Sequence, residues 1–241
     1  PGDAIKEVAR LCNEVDLVVC CGGDGTFNET LSGLLSAESK TPIGYIPTGS
    51  TNDFASSLKL PLDVLEATKN IIEGQPVPYD AGRFGGRVFS YVASFGAFTR
   101  TSYTTPQSIK NALGHTAYVL EGIQELTQIR NEHIKMIVDG EVVEDDFLFG
   151  AICNSTSVGG VLTLDPDVVD LQDNKLEILL VRAPRNLAEL HECILALQDQ
   201  TYNCAMLTFR SATHIRIFAD PDMPWTLDGE REEGHSEVEV V

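Results

Sequence analysis

The fold of this chain is decided by the stretch Val18-Val19-Cys20-Cys21-Gly22-Gly23-Asp24-Gly25-Thr26-Phe27-Asn28-Glu29-Thr30, in which an apolar run meets three glycines and an acid. Residues 16–21 form a short β-branched run, which predicts a strand buried on both faces. Apolar residues recur at helical spacing through residues 26–35, which predicts a helix after the glycines. Such a strand-to-helix turn suits phosphate, because glycine admits a ligand close to the backbone and the helix N–H groups attract an anion.

Asp24 lies in this turn, where a carboxylate repels phosphate unless a cation stands between them. It therefore suggests a Mg²⁺ shared between the carboxylate and the phosphates of a nucleotide. The alternative is a plain tight turn in which Asp24 caps a helix.

A second loop of similar composition follows the next predicted strand. Residues 42–46 form that strand and lead into Pro47-Thr48-Gly49-Ser50-Thr51-Asn52-Asp53-Phe54-Ala55. In a parallel sheet both loops open at the same carboxyl edge, where ligands of such sheets bind.

The two motifs, in this order and separation, resemble the diacylglycerol kinase catalytic-domain family, the soluble bacterial lipid kinases related to sphingosine and ceramide kinases. The first motif alone is shared with NAD kinases and phosphofructokinases. The resemblance extends to Glu230 and implies an ATP-dependent kinase that phosphorylates a lipid hydroxyl, with diacylglycerol as the expected acceptor and phosphatidate as the product. Two alternatives stay open: an NAD kinase-like enzyme, and a nucleotide- or lipid-binding regulator that has lost catalysis.

The predicted fold is α/β plus β. Residues 1–80 are expected to form a Rossmann-like α/β nucleotide-binding domain, and residues 81–241 an antiparallel β-sandwich for the lipid, as in NAD and diacylglycerol kinases. The family's members begin with a strand and a phosphate-contacting loop that this sequence lacks, so we expect a few tens of residues to be missing before Pro1. Helices are predicted over 62–73, 111–129 and 187–198, and strands over 133–138, 141–143, 147–154, 175–182 and 212–219. The Gly85-Gly86 pair and the Asp139-Gly140 turn each predict a hairpin. The last residues are expected to form a closing strand, with the option that they rejoin the first domain.

The resemblance also implies the residues of the active site. The residues expected to contact ATP are Gly22, Gly23, Asp24, Gly25, Thr26, Asn28, Gly49, Ser50, Thr51 and Asn52. Asp228, within Leu227-Asp228-Gly229-Glu230, has the position of the family's general base, which removes the proton from the lipid hydroxyl. Asp24 is expected to take part in catalysis, and Glu230 to orient the base or to help hold a metal.

Two Mg²⁺ sites are implied as well. Asp24, Asp53 and Asp80 would organise a catalytic metal, since carboxylates that converge in one cleft repel one another without a cation. A structural metal would bind Asp170, Asp173 and the backbone carbonyl of Lys175. Asn174 replaces the family's glycine there, but asparagine tolerates the left-handed conformation.

Composition limits the partners. A formal net charge of −19 argues against nucleic acid and against an electrostatic hold on an anionic membrane. No apolar run approaches the roughly 20 residues of a membrane span. We therefore expect a cytoplasmic protein that makes transient, local apolar contact with the inner membrane face. A homodimer is an option, because open sheet edges can pair.

Overall fold

The computed structural model describes residues 2–50, 52–97, 130–158 and 162–241. The helix predicted over residues 111–129 and the candidate nucleotide contact Thr51 lie outside the described residues.

The first lobe is built around a parallel strand pair. Its helices are α1 (Asp3–Leu11), α2 (Asp24–Ser36), α3 (Asp53–Ser57) and α4 (Val64–Glu73), and its strands are β1 (Val18–Gly22) and β2 (Ile43–Pro47). The register pairs Gly22 with Pro47 at the carboxyl ends. The prediction that the two loops open at one edge is therefore confirmed.

The prediction that β1 is buried on both faces was wrong. Cys20 is buried, whereas Val19, on the opposite face, is 52% exposed. Cys20 packs in the same buried cluster as Phe27 of helix α2, whereas Val19 and Cys21 on the other face are exposed among the described residues.

The second lobe is an antiparallel sheet with one further helix. Its strands are β3 (Gly82–Phe84), β4 (Arg87–Phe89), β5 (Val92–Gly96), β6 (Glu132–Val138), β7 (Glu141–Cys153), β8 (Ser157–Val158), β9 (Leu162–Thr163), β10 (Leu176–Arg182), β11 (Leu207–Ala212), β12 (Ile215–Phe218), β13 (Trp225–Leu227), β14 (Glu230–Glu232) and β15 (Glu237–Val240), and its helix is α5 (Leu187–Gln198). The main sheet runs in the order β14-β13-β5-β7-β6-β12-β15-β3-β4, and β10 joins β7 to β11. The predicted α/β plus antiparallel β class is thus confirmed.

Strands β7, β11 and β12 of this sheet differ from the prediction. Strand β7 is a single strand of 13 residues where two were predicted. The charged residues in the middle of β7 continue its pairing with β6, because Glu144 pairs with Lys135 and Asp146 pairs with His133 of that strand. Strand β11 was not predicted, and β12 begins at Ile215, three residues later than expected.

One hydrophobic core crosses both lobes. Phe27 and Phe54 stack with ring centroids 3.9 Å apart, and Tyr79 packs edge-on against Phe54 at 5.1 Å. This cluster continues into buried residues of the sheet such as Leu148 and Leu179. The two lobes are therefore packed directly together, which fixes the loops of the first lobe against the second. The division of the chain into domains at residue 80 stays a prediction. The last residues form β15, which pairs with β12 and β3 in the sheet of the second lobe.

Candidate active site

The two glycine loops touch through their backbones. A Cβ placed on Gly49 would lie 2.5 Å from Gly23 Cα, a distance that real Cβ contacts do not show. The amide of Asn52 closes the second loop, since its Oδ1 accepts from Gly49 N at 2.9 Å and its Nδ2 donates to Gly49 O at 2.9 Å. Asn52 also has a left-handed φ of 53°. Gly23, Gly49 and Asn52 thus set the shape of the paired loops.

Helix α2 begins at this point of contact. Asp24 is its first residue, and the first backbone bond of the helix runs from Phe27 N to Gly23 O. The N–H groups of the first turn are left for another acceptor, as at helix N-termini that bind anions. Gly25 and Thr26 are exposed, and so is Ser50 on the facing loop.

The carboxylate of Asp24 joins the two motifs. It accepts from the backbone N–H groups of Asp53 at 3.2 Å and Phe54 at 3.1 Å, at the start of α3. Asp24 therefore caps a helix, as the alternative interpretation held, but the capped helix is the neighbouring one.

Asp228 is the most heavily hydrogen-bonded acid of the site. Oδ2 accepts from Asn28 Nδ2 (2.7 Å), Ser90 N (2.6 Å) and Ser90 Oγ (2.8 Å), and Oδ1 from Tyr91 N (3.0 Å) and Val92 N (3.1 Å). Burial raises the pKa of Asp228, and the hydrogen bonds from Ser90, Tyr91 and Val92 oppose that rise. The turn thus holds a desolvated carboxylate between the sheet and helix α2.

Tyr91 lies where the acids of the two lobes meet. Its hydroxyl donates to Asp53 Oδ2 at 3.4 Å. Burial and then the charges of Asp228, Asp53 and Asp24 raise the pKa of Tyr91. Three carboxylates from distant parts of the sequence therefore act on one buried hydroxyl.

Glu230 lies over the first glycine loop. Its Oε1 is 3.4 Å from the position of a Cβ on Gly25. Arg87 holds it there through a 2.5 Å ion pair and also contacts Glu232 at 2.8 Å. Arg87 places positive charge beside the loop, and the sequence-based site did not include it.

Asp80 belongs with the acidic loop of the second lobe. Its carboxylate accepts from Asn174 N at 2.6 Å, and its backbone N–H donates to Leu171 O at 2.9 Å. Asp170 and Asp173 make local turns by accepting from Gln172 N and Lys175 N. Asn174 has the left-handed φ of 58° that its replacement of glycine requires.

Glu177 extends this acidic group into the core. It is 1% exposed, and its Oε2 has no hydrogen-bond partner among the described residues. Burial, followed by the charges of Asp173 and Asp170, raises the pKa of Glu177 to about 7. The sequence-based site did not include Glu177. The signal that could have identified it is an acidic residue inside the apolar run of β10.

The predicted metal ligands are thus divided between two places, Asp24 with Asp53, and Asp80 with the loop of Asp170 and Asp173. Within the part of the chain that is described, no three His, Cys, Asp or Glu side chains are close enough together to hold a metal ion directly.

An apolar cavity of about 590 Å³ lies beside the site, between α2, β2, α3, α4 and the segment 74–79. Its size falls in the range of small-molecule pockets, about 300–1,000 Å³. None of the helices described for this chain is long and apolar enough to span a membrane.

Comparison with known protein families divides the chain into two matches. Residues 1–84 match the family described as diacylglycerol kinase catalytic domain. Residues 92–240 match the family described as YegS C-terminal NAD kinase beta sandwich-like domain.

Individual relatives cover nearly the whole chain. A diacylglycerol kinase of Bacillus subtilis (strain 168) is 33% identical over 229 residues, which are 94% of this chain and 74% of that protein. One of Staphylococcus carnosus (strain TM300) is 34% identical over 231 residues, 95% and 75% of the two chains. A solved structure from Bacillus anthracis str. Sterne superimposes with a TM-score of 0.77 at 25% identity, covering 99% of this chain and 79% of that one.

Proposed function

This chain belongs to the diacylglycerol kinase family, and from that premise we propose that it transfers the γ-phosphate of ATP to the free hydroxyl of diacylglycerol, giving phosphatidate. The observation that carries the proposal is the bond between Asn28 of helix α2 and Asp228 of the second lobe. It joins the helix that starts at the glycine loops to a buried acid, so a nucleotide and a proton acceptor would share one cleft.

The proposed nucleotide contacts are the N-terminus of α2 and the loop that faces it. Gly22, Gly23, Gly25 and Thr26 would surround the phosphates with backbone N–H groups, which are favourable partners for anions. Ser50 and Thr51 would contact the nucleotide from the second loop, whose conformation Asn52 holds.

Asp228 is proposed as the general base. Phosphoryl transfer needs mainly a positioned acceptor, an oriented hydroxyl and neutralised charge. The proton of the lipid hydroxyl would pass to Asp228 as the hydroxyl oxygen bonds to the γ-phosphorus and the bond to the ADP oxygen breaks. The carboxylate already accepts five hydrogen bonds, against about four lone-pair sites. Ser90 Oγ is the donor that can rotate away, because the others are backbone groups and an amide held at both N–H bonds.

Mg²⁺ is proposed at the start of helix α3. Asp24 and Asp53 would hold it, with Asp80 contributing through water. Glu230, which lies over Gly25, would help to hold the ion or orient Asp228. Negative charge from Asp24, Asp53 and Asp228 already gathers around Tyr91, which fits a bound cation. When bound, the ion would supply neutralising charge to the phosphates of ATP.

A second Mg²⁺ is proposed at Asp170, Asp173 and the carbonyl of Lys175. The buried Oε2 of Glu177, which has no hydrogen-bond partner in the described part of the chain, lies near these acids and fits a cation there. Adding Mg²⁺ to chelator-treated protein at ten times Kd is expected to raise Tm by about 3–6 °C, measured by calorimetry. Asp173→Asn should abolish this rise, and Asp167→Asn, in the same loop, should keep it. An equal rise in both variants would exclude the site.

Contact with the inner membrane face is proposed at an apolar patch next to the cavity. It consists of Leu62, Leu65, Ile72 and Val77, which are 56%, 78%, 77% and 71% exposed. The double variant Leu65→Glu/Ile72→Glu is expected to bind phosphatidylcholine vesicles containing diacylglycerol at least about tenfold more weakly in co-sedimentation. Val142→Glu, a change at an exposed valine of β7, is the control. Undiminished binding of the double variant would place the contact elsewhere.

A homodimer is proposed through open sheet edges, of which β4 is one end of the strand order. Sedimentation equilibrium would detect it, and a monomer at every concentration would exclude it.

Acceptor choice is the experiment that tests the proposed function. The full-length protein would be incubated with Mg²⁺, γ-labelled ATP and, separately, diacylglycerol, sphingosine, ceramide, a polyprenol or NAD. Label is expected in the product of diacylglycerol. Label only in NAD would favour an NAD kinase, and ATP binding without transfer to any acceptor would favour a regulator.

A further inference from the structure

Asn28 has an unusual pair of partners. It lies one turn after Asp24 on α2, and its Nδ2 donates to Asp228 Oδ2 at 2.7 Å and to Val88 O at 3.0 Å. Both partners belong to the second lobe, and Asp228 is 200 residues away in the sequence. The amide therefore spans the two lobes beside the glycine loops.

Both N–H bonds of this amide are already used, so neither is left for a phosphate of ATP. The orientation of the amide is fixed as well. Turning it over would set Oδ1 against the carboxylate of Asp228 and the carbonyl of Val88, which have no hydrogen to donate.

Asn28 is also the partner that links Asp228 to the first lobe. The other donors to Asp228 come from Ser90, Tyr91 and Val92, which lie in the second lobe beside it. Without Asn28, the acid would keep its place in the sheet but would lose its direct hydrogen bond to the helix whose N-terminus faces the nucleotide loops.

We propose that Asn28 is a positioning residue that fixes Asp228 relative to the N-terminus of helix α2, and that it is not a ligand of the nucleotide. The proposal rests on the proposed function, since Asp228 acts there on the acceptor hydroxyl. The distance between the phosphates bound at the start of α2 and the acid that receives the proton is then fixed. Such alignment strongly raises the rate of phosphoryl transfer, because the protein contributes to this reaction mainly by positioning the reactants and neutralising charge.

The test separates kcat from KM. Asn28→Ala is expected to lower kcat about 10- to 100-fold, as for loss of a hydrogen bond to a charged group, with KM for ATP changed less than about threefold. Asn28→Asp should lower kcat further, because two carboxylates would then face each other across the same contact. Ser36→Ala is the control and should match the wild type, because Ser36 lies two turns along α2 and its hydroxyl donates to Gly33 O of the same helix.

A double-mutant cycle shows whether Asn28 acts through Asp228. In an Asp228→Ala background, the further change Asn28→Ala is expected to alter the residual kcat less than about twofold. The proposal would be overturned if the kcat losses of the two single variants multiplied in the double variant. A tenfold rise in KM for ATP with kcat unchanged in Asn28→Ala would also overturn it.

The proposal and the proposed function fail in different ways. A wild-type protein that phosphorylates no lipid would refute the function. ATP binding by calorimetry would still test the role of Asn28, because Asn28→Ala should leave Kd for ATP unchanged. A weakened Kd would make Asn28 a nucleotide ligand.

Discussion

Asp228→Asn is expected to lower kcat for phosphate transfer to diacylglycerol by about 10²–10⁴-fold, the usual contribution of a general base. The amide keeps the size of the side chain but cannot take the hydroxyl proton. Burial raises the pKa of Asp228, which makes the carboxylate a better proton acceptor than a solvated aspartate. Initial rates at saturating ATP and lipid would measure the loss.

The same carboxylate also organises the segment from Ser90 to Val92, so the measurement needs a control for folding. Calorimetric Tm and Kd for ATP should show that the variant still folds and binds nucleotide. Glu237→Gln, a change to an exposed acid on β15, should keep the wild-type rate. Full turnover by a folded Asp228→Asn protein would refute the assignment of the base.

Gly49→Ala is expected to raise KM for ATP about 10- to 100-fold. The added Cβ would lie 2.5 Å from Gly23 Cα and 2.8 Å from Asn52 Oδ1, so the two loops must separate. Overpacking of this kind typically costs about 1–3 kcal/mol, and here the displaced atoms are backbone atoms of the proposed nucleotide site. Steady-state kinetics with ATP varied would measure the change.

Gly86 provides the matched control for this substitution. It lies in the β3–β4 turn, its φ is not positive, and a Cβ there would meet nothing within 4 Å. Gly86→Ala should therefore leave KM for ATP unaltered. An unchanged KM in Gly49→Ala would mean that the contact between the loops does not shape the nucleotide site.

Local patterns were enough to predict much of the fold. The parallel pair β1 and β2, the hairpins at Gly85-Gly86 and Asp139-Gly140, and helix α5 follow from periodicity and turn chemistry. Strand β7 was divided in the prediction because its charged middle interrupts the apolar pattern. Those charges are stabilised by cross-strand partners on β6, which no local window contains.

The residues of the candidate site that lie in sequence motifs could be predicted. The residues that the second lobe adds through long-range contacts could not. Asp24 and Asp228 stand in recognisable motifs. Ser90 and Tyr91 follow a hairpin of ordinary composition, and they meet Asp228 only across a sequence separation of 138 and 137 residues. They meet because β5 and β13 pair in the antiparallel sheet of the second lobe, a long-range pairing that local sequence patterns do not encode.

The measurement that tests the central claim most directly is the rate of phosphatidate formation from labelled ATP and diacylglycerol in mixed micelles with Mg²⁺. Wild-type protein is expected to form phosphatidate at a rate that rises with the mole fraction of diacylglycerol, and Asp228→Asn to lose nearly all of that rate. Absence of phosphatidate from a folded, ATP-binding wild-type protein would contradict the account.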